Sequence, residues 1–400
     1  MGVVMTRSGS TTRKALVIGC GVAGPAVAIA LRRIGLDVVL HEAWPEPDAL
    51  TGGWLNVMPN GRRVLHMLGV TTQLDTEFRC ERISFRDHRG KYLAEIPTPG
   101  ALSVRRGFLH RVLRERAAQQ GVRVRFGKRL IDVHDAPDSV TAEFADHTSD
   151  EGDLLVGCDG LRSRVRESIM PEAPRFRYTG FISTIGFCHT TSHAPTNSAL
   201  EMAFGLRTSI RYFIRESGEV SWACDAIVPP EPGRTEPAEI AEEDWRQRLI
   251  ADFAGDFSPA VEFITTTPTI TRHPIYRLGA LDDWHRGRAC LVGDAAHAIP
   301  PHAGQGASMA LEDAVTLAKC LRDVPDTGAA FAAYQRIRQP RQARVAAAAR
   351  GNGRSLGARN LVGRWIRSRM IPIGLRRSAA EARWMNDYEI DWEEPVIAGS

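Results

Sequence analysis

Residues 14–42 read KALVIGCGVAGPAVAIALRRIGLDVVLHE, and the order of residue types in them decides the fold. Residues 14–19 (KALVIG) are a short apolar run with β-branched members, the pattern of a buried parallel strand. Gly19, Gly21 and Gly24 follow at GxGxxG spacing, with Val22 and Ala23 between them. AVAIALRRIG then carries apolar positions at helical spacing, and Gly35 stands where a helix C-terminal glycine belongs. LDVVLHE is a second strand. Strand, turn, helix and strand in this order open a doubly wound α/β sheet. The first glycine allows the tight turn, the second lets a pyrophosphate approach the backbone, and the third lets helix and strand pack closely, with the pyrophosphate on the helix N-terminus. Glu42 ends the second strand about 20 residues on, where a carboxylate accepts from ribose hydroxyls and repels a 2′-phosphate. These residues point to an adenine dinucleotide, FAD or NAD, and disfavour NADP at this site. They do not choose between the first two.

The bulk numbers bound the rest. A chain of 400 residues, 43% hydrophobic, suits two domains or one domain with an insertion. A formal charge of only +4 does not imply nucleic acid as a partner. The seven cysteines are scattered and form no CxxC pair, which fits a reducing cytoplasm rather than a disulfide framework or zinc ribbon. The polar opening residues lack a signal-peptide core, and no run of about 18 apolar residues reads as a membrane span. The expectation is a cytoplasmic protein, a monomer or homodimer.

Further along, RGFLHRVLRERAAQQG (106–121) reads as an amphipathic helix closed by glycine. VRVRFGKRLIDVHDAPDSVTAEFAD (122–146) reads as antiparallel strands, and DLLVGCDG (153–160) as another buried strand. From about Arg175 to Pro274 strand-like segments dominate: FISTIGFCHTT, SIRYFIRES and VSWACDAIVP. A Pro-rich loop and an acidic helix near EEDWRQRLIADF come after them. The predicted class is α/β, a Rossmann-like nucleotide-binding domain with an inserted, mostly antiparallel β-sheet substrate domain and C-terminal helices. The expected boundaries are 1–78, 103–174 and 275–345 for the first domain, 79–102 and 175–274 for the second, and 346–400 for the helical tail. The basic segment LVGRWIRSRMIPIGLRR (361–377) is amphipathic and is expected to pack on its own domain rather than on a membrane.

Residues 291–314 read LVGDAAHAIPPHAGQGASMALEDA. Gly293-Asp294 ends an apolar strand, Pro300-Pro301 stiffens the loop in an extended form, and Gly304-Gln305-Gly306 exposes backbone at a helix start. This stretch resembles the Gly-Asp motif and flavin loop of the single-component flavoprotein monooxygenases, the p-hydroxybenzoate hydroxylase-like (group A) family. Gly157-Cys158-Asp159-Gly160 with Leu161-Arg162-Ser163-Arg164-Val165-Arg166 is similar to the family's Asp-Gly motif. Arg106 with Leu109 is similar to its Arg-x-x-Leu helix start. The four motifs run in the family's order from about Lys14 to Ala314. Two departures are Ser308, where many relatives carry Asn, and Cys158, where Ala is common.

The resemblance implies non-covalent FAD, reduction by NADPH or NADH, reaction with O2 to a flavin hydroperoxide, and insertion of one oxygen atom into a small organic substrate by hydroxylation or epoxidation. It assigns Gly19, Gly21, Val22, Ala23 and Gly24 to the pyrophosphate and Glu42 to the adenosine ribose. Arg106 would contact FAD, and Asp294 the ribitol hydroxyls. The Asp159-Gly160 turn would face the nicotinamide side. Leu130, Pro301, Gly304, Gln305, Gly306 and Ala307 join the cofactor set. Arg162, Arg164 and Arg166 offer charge near phosphates. No residue is assigned as catalytic with certainty, His302 and Gly304 being the flavin-loop candidates. The alternation of SIRYFIRES turns Ile210, Tyr212 and Ile214 one way and Arg211, Phe213 and Arg215 the other. Arg207, Tyr212, Phe213 and Trp222 are the substrate candidates, for a hydrophobic or aromatic ligand. No metal site is expected: His297 and His302 are separated by two prolines, and no HExxH occurs. No Gly-x-Ser-x-Gly elbow supports a hydrolase. The competing readings are an FAD-dependent dehydrogenase or reductase on the same fold, and a flavin-binding redox sensor without turnover.

Overall fold

In a computed structural model of the protein, which describes residues 12–46, 52–70, 72–74, 76–230, 237, 239–355 and 379–397, the chain opens as its pattern requires. β1 (Lys14–Ile18) runs through the glycine loop into α1 (Ala23–Arg33), and β2 (Asp37–His41) returns parallel to β1. β3 (Trp54–Val57) leads into α2 (Pro59–Met67), with proline in the first turn where its missing N–H costs nothing. β4 (Phe78–Asp87) and β5 (Tyr92–Arg105) form a long antiparallel pair. α3 (Arg106–Gln119) and β6 (Arg123–Arg125) come next, then a meander of β7 (Leu130–Asp135), β8 (Val140–Phe144) and β9 (Ser149–Gly152). β10 (Leu154–Gly157) and α4 (Arg164–Ile169) precede the inserted block: β11 (Arg177–His189), β12 (Ala199–Phe204), β13 (Ser209–Ile214), β14 (Glu219–Ile227), α5 (Glu242–Phe253), α6 (Ala260–Thr266) and β15 (Thr271–Arg277). The chain then returns to the first layer with β16 (His285–Arg286), β17 (Ala289–Leu291), α7 (Asp294–His297), α8 (Gly306–Asp323) and α9 (Thr327–Ser355).

Two large sheets result. The first has the order β16-β17-β10-β1-β2-β6, parallel except for the pairing of β16 with β17. Its central strands are buried on both faces, which is why they read as unbroken apolar runs rather than alternations. The second has the order β15-β11-β14-β13-β12-β4-β5-β3, antiparallel except where β12 meets β4. Its outer face is covered by α5 and α6, with Trp222, Trp245, Phe253 and Phe263 fully buried between them.

Several details differ from the expectations. The segment 122–146 is not wholly antiparallel, because β6 joins the first sheet parallel to β2. β3 belongs to the second sheet, pairing Trp54 with Arg105 and Val57 with Leu102. α9 runs unbroken through the expected boundary at 345, with Pro340 inside it. The basic segment 361–377 and most of the Pro-rich loop 229–237 lie outside the described residues.

α8 carries an unusual load for a core helix. Glu312 and Asp313 stand side by side in it, both fully buried. Arg338 of α9 answers both, with Nε 2.7 Å from Asp313 and Nη1 2.7 Å from Glu312. Arg341 donates two bonds to Glu312, at 2.7 and 2.8 Å. His297 of α7 lies 2.6 Å from Asp313, and the Gly293 N–H donates to the same carboxylate at 3.1 Å. Burial pushes the Asp313 carboxyl up, but the His297 ring and the Arg338 guanidinium outweigh it and hold it at about 2.

This network can be tested in two ways. Arg338→Met takes from both buried carboxylates the one cation they share and should cost about 3–5 kcal/mol in denaturant unfolding. Arg344→Met removes an exposed partner of Glu381 and should cost about 0–1 kcal/mol. The other test uses pH. The Asp313 carboxyl titrates lower in the folded chain than its usual value of about 3.9 in an unfolded one, so its stabilisation is complete above about pH 4 and lost as pH falls toward 2. Asp313→Asn should melt below wild type at neutral pH, with the gap narrowing through that acid window. A gap independent of pH would contradict the assignment.

Candidate cofactor and substrate site

Four strand ends of the first sheet meet at its C-terminal edge: Gly19 after β1, Glu42 after β2, Cys158-Asp159 after β10, and Gly293-Asp294 after β17. Adjacent strands hold them together, through Gly19 N–H to His41 O at 2.7 Å, Cys158 N–H to Ile18 O at 2.7 Å and Val292 N–H to Gly157 O at 2.9 Å. In an open α/β sheet this edge is where ligands bind.

The glycine loop separates packing from binding. Gly19 has φ +100°, and a Cβ there would lie 2.5 Å from Cys158 O. A Cβ on Gly24 would lie 1.8 Å from Gly19 O. A Cβ on Gly21 would meet no protein atom within 4 Å. So Gly19 and Gly24 are required by the fold itself, while Gly21 faces open space. α1 begins without a side-chain cap or an acidic residue in its first turn, so the N–H groups of Ala23 and Gly24 are available to an anion, Pro25 having none. The Glu42 carboxylate sits over the loop, accepting from Cys20 N–H at 2.7 Å and from Trp44 N–H at 3.0 Å.

Asp294 is solvent-exposed, yet protein surrounds it closely enough that desolvation raises its carboxyl above the ordinary range. Those two facts place it in the floor of a cleft. The charges of His297 and Arg106 offset that rise only in part. Arg106 opens α3, anchors its N–H on Gly53 O at 2.8 Å and leaves its side chain exposed.

The flavin-loop candidates divide. Pro301 starts a 3-10 turn through Ala303, closed by Gly304 in the left-handed region at φ +64°. The side chain of His302 lies outside the described part of the protein. Gln305 is buried and turns inward, accepting from Asn60 at 2.9 Å and donating to Asn386 at 3.0 Å. Gly306 and Ala307 start α8 half-exposed, with no side-chain cap and no protein atom within 4 Å of a Cβ on Gly306. Ser308 is fully buried and accepts from Met58 N–H at 3.0 Å, tying α8 to β3.

Several other expected residues also have a part in the fold. The Asp159 carboxylate accepts from the N–H groups of Arg164 and Val165 at 2.7 and 3.0 Å, capping α4, while its buried Oδ1 has no partner. Gly160, with φ +78°, is open on its Cβ side. Leu130 starts β7 and is buried in the core of the first domain. Arg166 is buried, donating to Ala295 O and Leu161 O at 2.7 Å each, and Arg164 donates to Ile131 O at 2.7 Å. Arg162 lies over the Phe176 ring at 5.2 Å.

Of the substrate candidates, Phe213 lies on the face of the second sheet turned toward Trp54 and Met58 of the β3–α2 segment. It stacks on Phe78 at 4.1 Å and meets the edge of Trp54 at 5.5 Å. Tyr212 and Trp222 occupy the opposite face. Trp222 is fully buried there and donates to Thr267 at 2.8 Å, and Tyr212 packs edge-on against Phe263. Arg207 is exposed beyond the sheet end, donating to Ala251 O. The alternation of β13 is as read, but its neighbours α5 and α6 claim the Tyr212 side. Sequence reasoning missed His273 on β15, the register partner of Ser183. Burial and nearby Arg106 hold its ring below the usual imidazole value. The one signal available was its place on an alternating strand beside a proline.

The residues present fit a dinucleotide. The open Gly21, Gly160 and Gly306 give close approach to backbone, the orphaned Asp159 Oδ1 and the cleft-floor Asp294 offer acceptors, and α1 and α8 present uncapped N-termini. Comparison with known proteins agrees. A family described as "FAD binding domain" matches residues 12–349. Aurachin C monooxygenase/isomerase of Stigmatella aurantiaca is 30% identical, over 89% of this chain and 93% of its own. 6-Hydroxynicotinate 3-monooxygenase of Pseudomonas fluorescens is 30% identical, over 84% and 90%. The crystal structure of Klebsiella pneumoniae HpxO with FAD and uric acid superposes with a TM-score of 0.82 at 27% identity, covering 93% of this chain and 96% of that one. A strand-end cleft built for a dinucleotide, matched over most of its length by FAD-binding monooxygenases, places the chain in the FAD-binding-domain family of single-component flavoprotein monooxygenases.

Proposed function

We propose that the protein is a cytoplasmic FAD-dependent monooxygenase that adds one oxygen atom to a small, flat ring compound at the expense of NADH or NADPH. The observation that carries this is the meeting of four strand ends at one edge of the first sheet, facing an aromatic wall on the second. All seven cysteines are free thiols, which supports a reducing compartment. Bound FAD would supply hydride acceptance from the nicotinamide and activation of O2.

The chain's own residues bind, orient and exclude water. Gly19, Gly21, Val22, Ala23 and Gly24 would take the pyrophosphate on the α1 N-terminus, and Glu42 the ribose. Asp294 would accept from ribitol hydroxyls, since a carboxylate cannot neutralise a phosphate but can accept from hydroxyls. Gly304, Gly306 and Ala307 would present backbone N–H groups to the ring edge, where a helix N-terminus favours negative charge. Trp54, Phe78, Phe213 and Ile185 make an apolar wall that keeps water from the reacting centre. The named substrates of the relatives, hydroxynicotinate and uric acid among them, support a flat ring. What this chain selects must come from its own wall.

Three measurements test the reading. Supplying candidate ring compounds with NAD(P)H under air should give a product heavier by one oxygen atom, with matched cofactor oxidation. Desaturated or reduced products without added oxygen would instead establish a dehydrogenase or reductase. Gly21→Val should leave thermal stability near wild type but weaken FAD binding by about tenfold or more, whereas Gly24→Ala forces overlap with Gly19 O and should cost about 1–3 kcal/mol of fold stability or more. Asp294→Ala should weaken FAD binding by about 1–3 kcal/mol, read from flavin retained on gel filtration. Full retention would remove Asp294 from the assigned role.

A further inference from the structure

On the wall of the second sheet, β13 places Arg211 between the aromatic residues and the edge where His273 lies. Its guanidinium forms a two-pronged pair with Asp225 of β14, Nη1 at 2.7 Å and Nη2 at 3.2 Å, and Nη2 also donates to Ser183 of β11 at 3.1 Å. The Asp225 side chain is 2% exposed and that of Arg211 20% exposed, so the pair opens through its arginine. Among the described residues three of the five guanidinium N–H donors are thus engaged, leaving those on Nε and the second on Nη1. Ile185 and Phe187, half-buried, line the same face of β11.

Two other arginines touch this wall, and each has its own carboxylate. Arg105 lies over Phe187 at 4.1 Å and bonds Glu219 at 2.7 Å. Arg215 lies over Phe213 at 5.7 Å and bonds Glu77 at 3.2 Å. Among the described residues, each of these three arginines thus has a carboxylate within reach.

We propose that Arg211 and Asp225 together form the substrate-recognition element, and that it selects an uncharged ring bearing a hydrogen-bond acceptor such as a lactam, amide or phenol oxygen, not a ring carboxylate. This rests on the monooxygenase reading. A lone buried arginine would attract a carboxylate. Here a carboxylate ligand would stand beside Asp225, and the like-charge repulsion in a poorly hydrated site opposes the attraction of a guanidinium already engaged. A neutral acceptor takes the remaining N–H donors without that repulsion. Exposure through the arginine also explains why the pair is tolerated beside the aromatic residues of the wall: it is a polar anchor of fixed orientation.

The test uses the FAD-loaded protein near neutral pH and isosteric probe pairs: 4-hydroxybenzamide against 4-hydroxybenzoate, and quinoline-4-carboxamide against quinoline-4-carboxylate. Binding is read from the perturbed flavin absorbance. The amide should bind more tightly than its carboxylate by about tenfold or more. Asp225→Asn should reverse the preference by freeing the guanidinium charge. Because that variant leaves a half-buried charge and can fail to fold, the double change Arg211→Met with Asp225→Leu removes both charges at similar volume, and it should keep flavin while losing discrimination between amide and carboxylate. Equal or tighter binding of the carboxylates to wild type, no binding of any probe, or discrimination that survives the double change overturns the proposal. A protein that retains no flavin fails the monooxygenase reading instead, and its missing absorbance shows this before any probe is added.

Discussion

Two adjacent carboxylates inside a buried helix are the constraint around which the nucleotide-binding domain is arranged. Glu312 and Asp313 are acceptable in the core only because two guanidinium groups, an imidazole, an amide and a backbone N–H reach them. An apolar replacement of the same volume would fill the space as well, but it would hold nothing in place. Asp313 receives the Gly293 N–H, which fixes the turn that delivers Asp294 to the cleft. Glu312 shares the Asn60 amide with Gln305, which fixes the loop ahead of α8. Both borders of the cleft on this side are thus set from behind by one ionic cluster.

The cluster also recruits the end of the chain. Arg341 donates to Met385 O at 2.8 Å and lies over the Tyr388 ring at 3.9 Å. Asn386 accepts from Gln305, and its backbone carbonyl takes Arg63. Residues 379–397 therefore close over α8 and α9 rather than trailing from them. Gln305, which a ligand-centred reading places against the ring, spends its amide on this closure, and the neighbouring glycines are left to present backbone.

Much of this was legible in the sequence, for a definite reason. Buried parallel strands read as apolar runs, and the turns after them need glycine for steric causes, so residues 14–42, 153–160 and 291–294 carry their geometry in their composition. The face of β13 was legible as an alternation, but not which face is covered, because that depends on where α5 and α6 dock, far along the chain. Trp222 and Tyr212 drew attention as large aromatics, and the helices claimed them. Arg211 carried a signal that went unread: a charge on the alternate face of an otherwise apolar strand needs a partner, and Asp225 is one of two acids in the next strand. Glu312 and Asp313 gave a similar one, as acids flanked by Met, Ala, Leu and Val, answered by arginines three apart in the following helix. Pairings of this kind join residues 14 to 29 positions apart, beyond the reach of any local pattern.

The placement of β3 has a mechanical consequence. Leaving the first layer after β2, the chain enters the second sheet at β3, returns with α2, enters again at β4, returns at α3, enters a third time at β11 and leaves after β15. The two layers are stitched by six passages of the backbone, four at the β3, β5 and β4 end of the second sheet and two at its β15 and β11 end. A hinge needs its tethers close to a single axis so that a few residues can absorb the rotation. Here, any such axis would leave some of the tethers to stretch. The cleft is accordingly a fixed gap between two plates, and traffic into it must pass through the loops at its rim instead of by parting the plates.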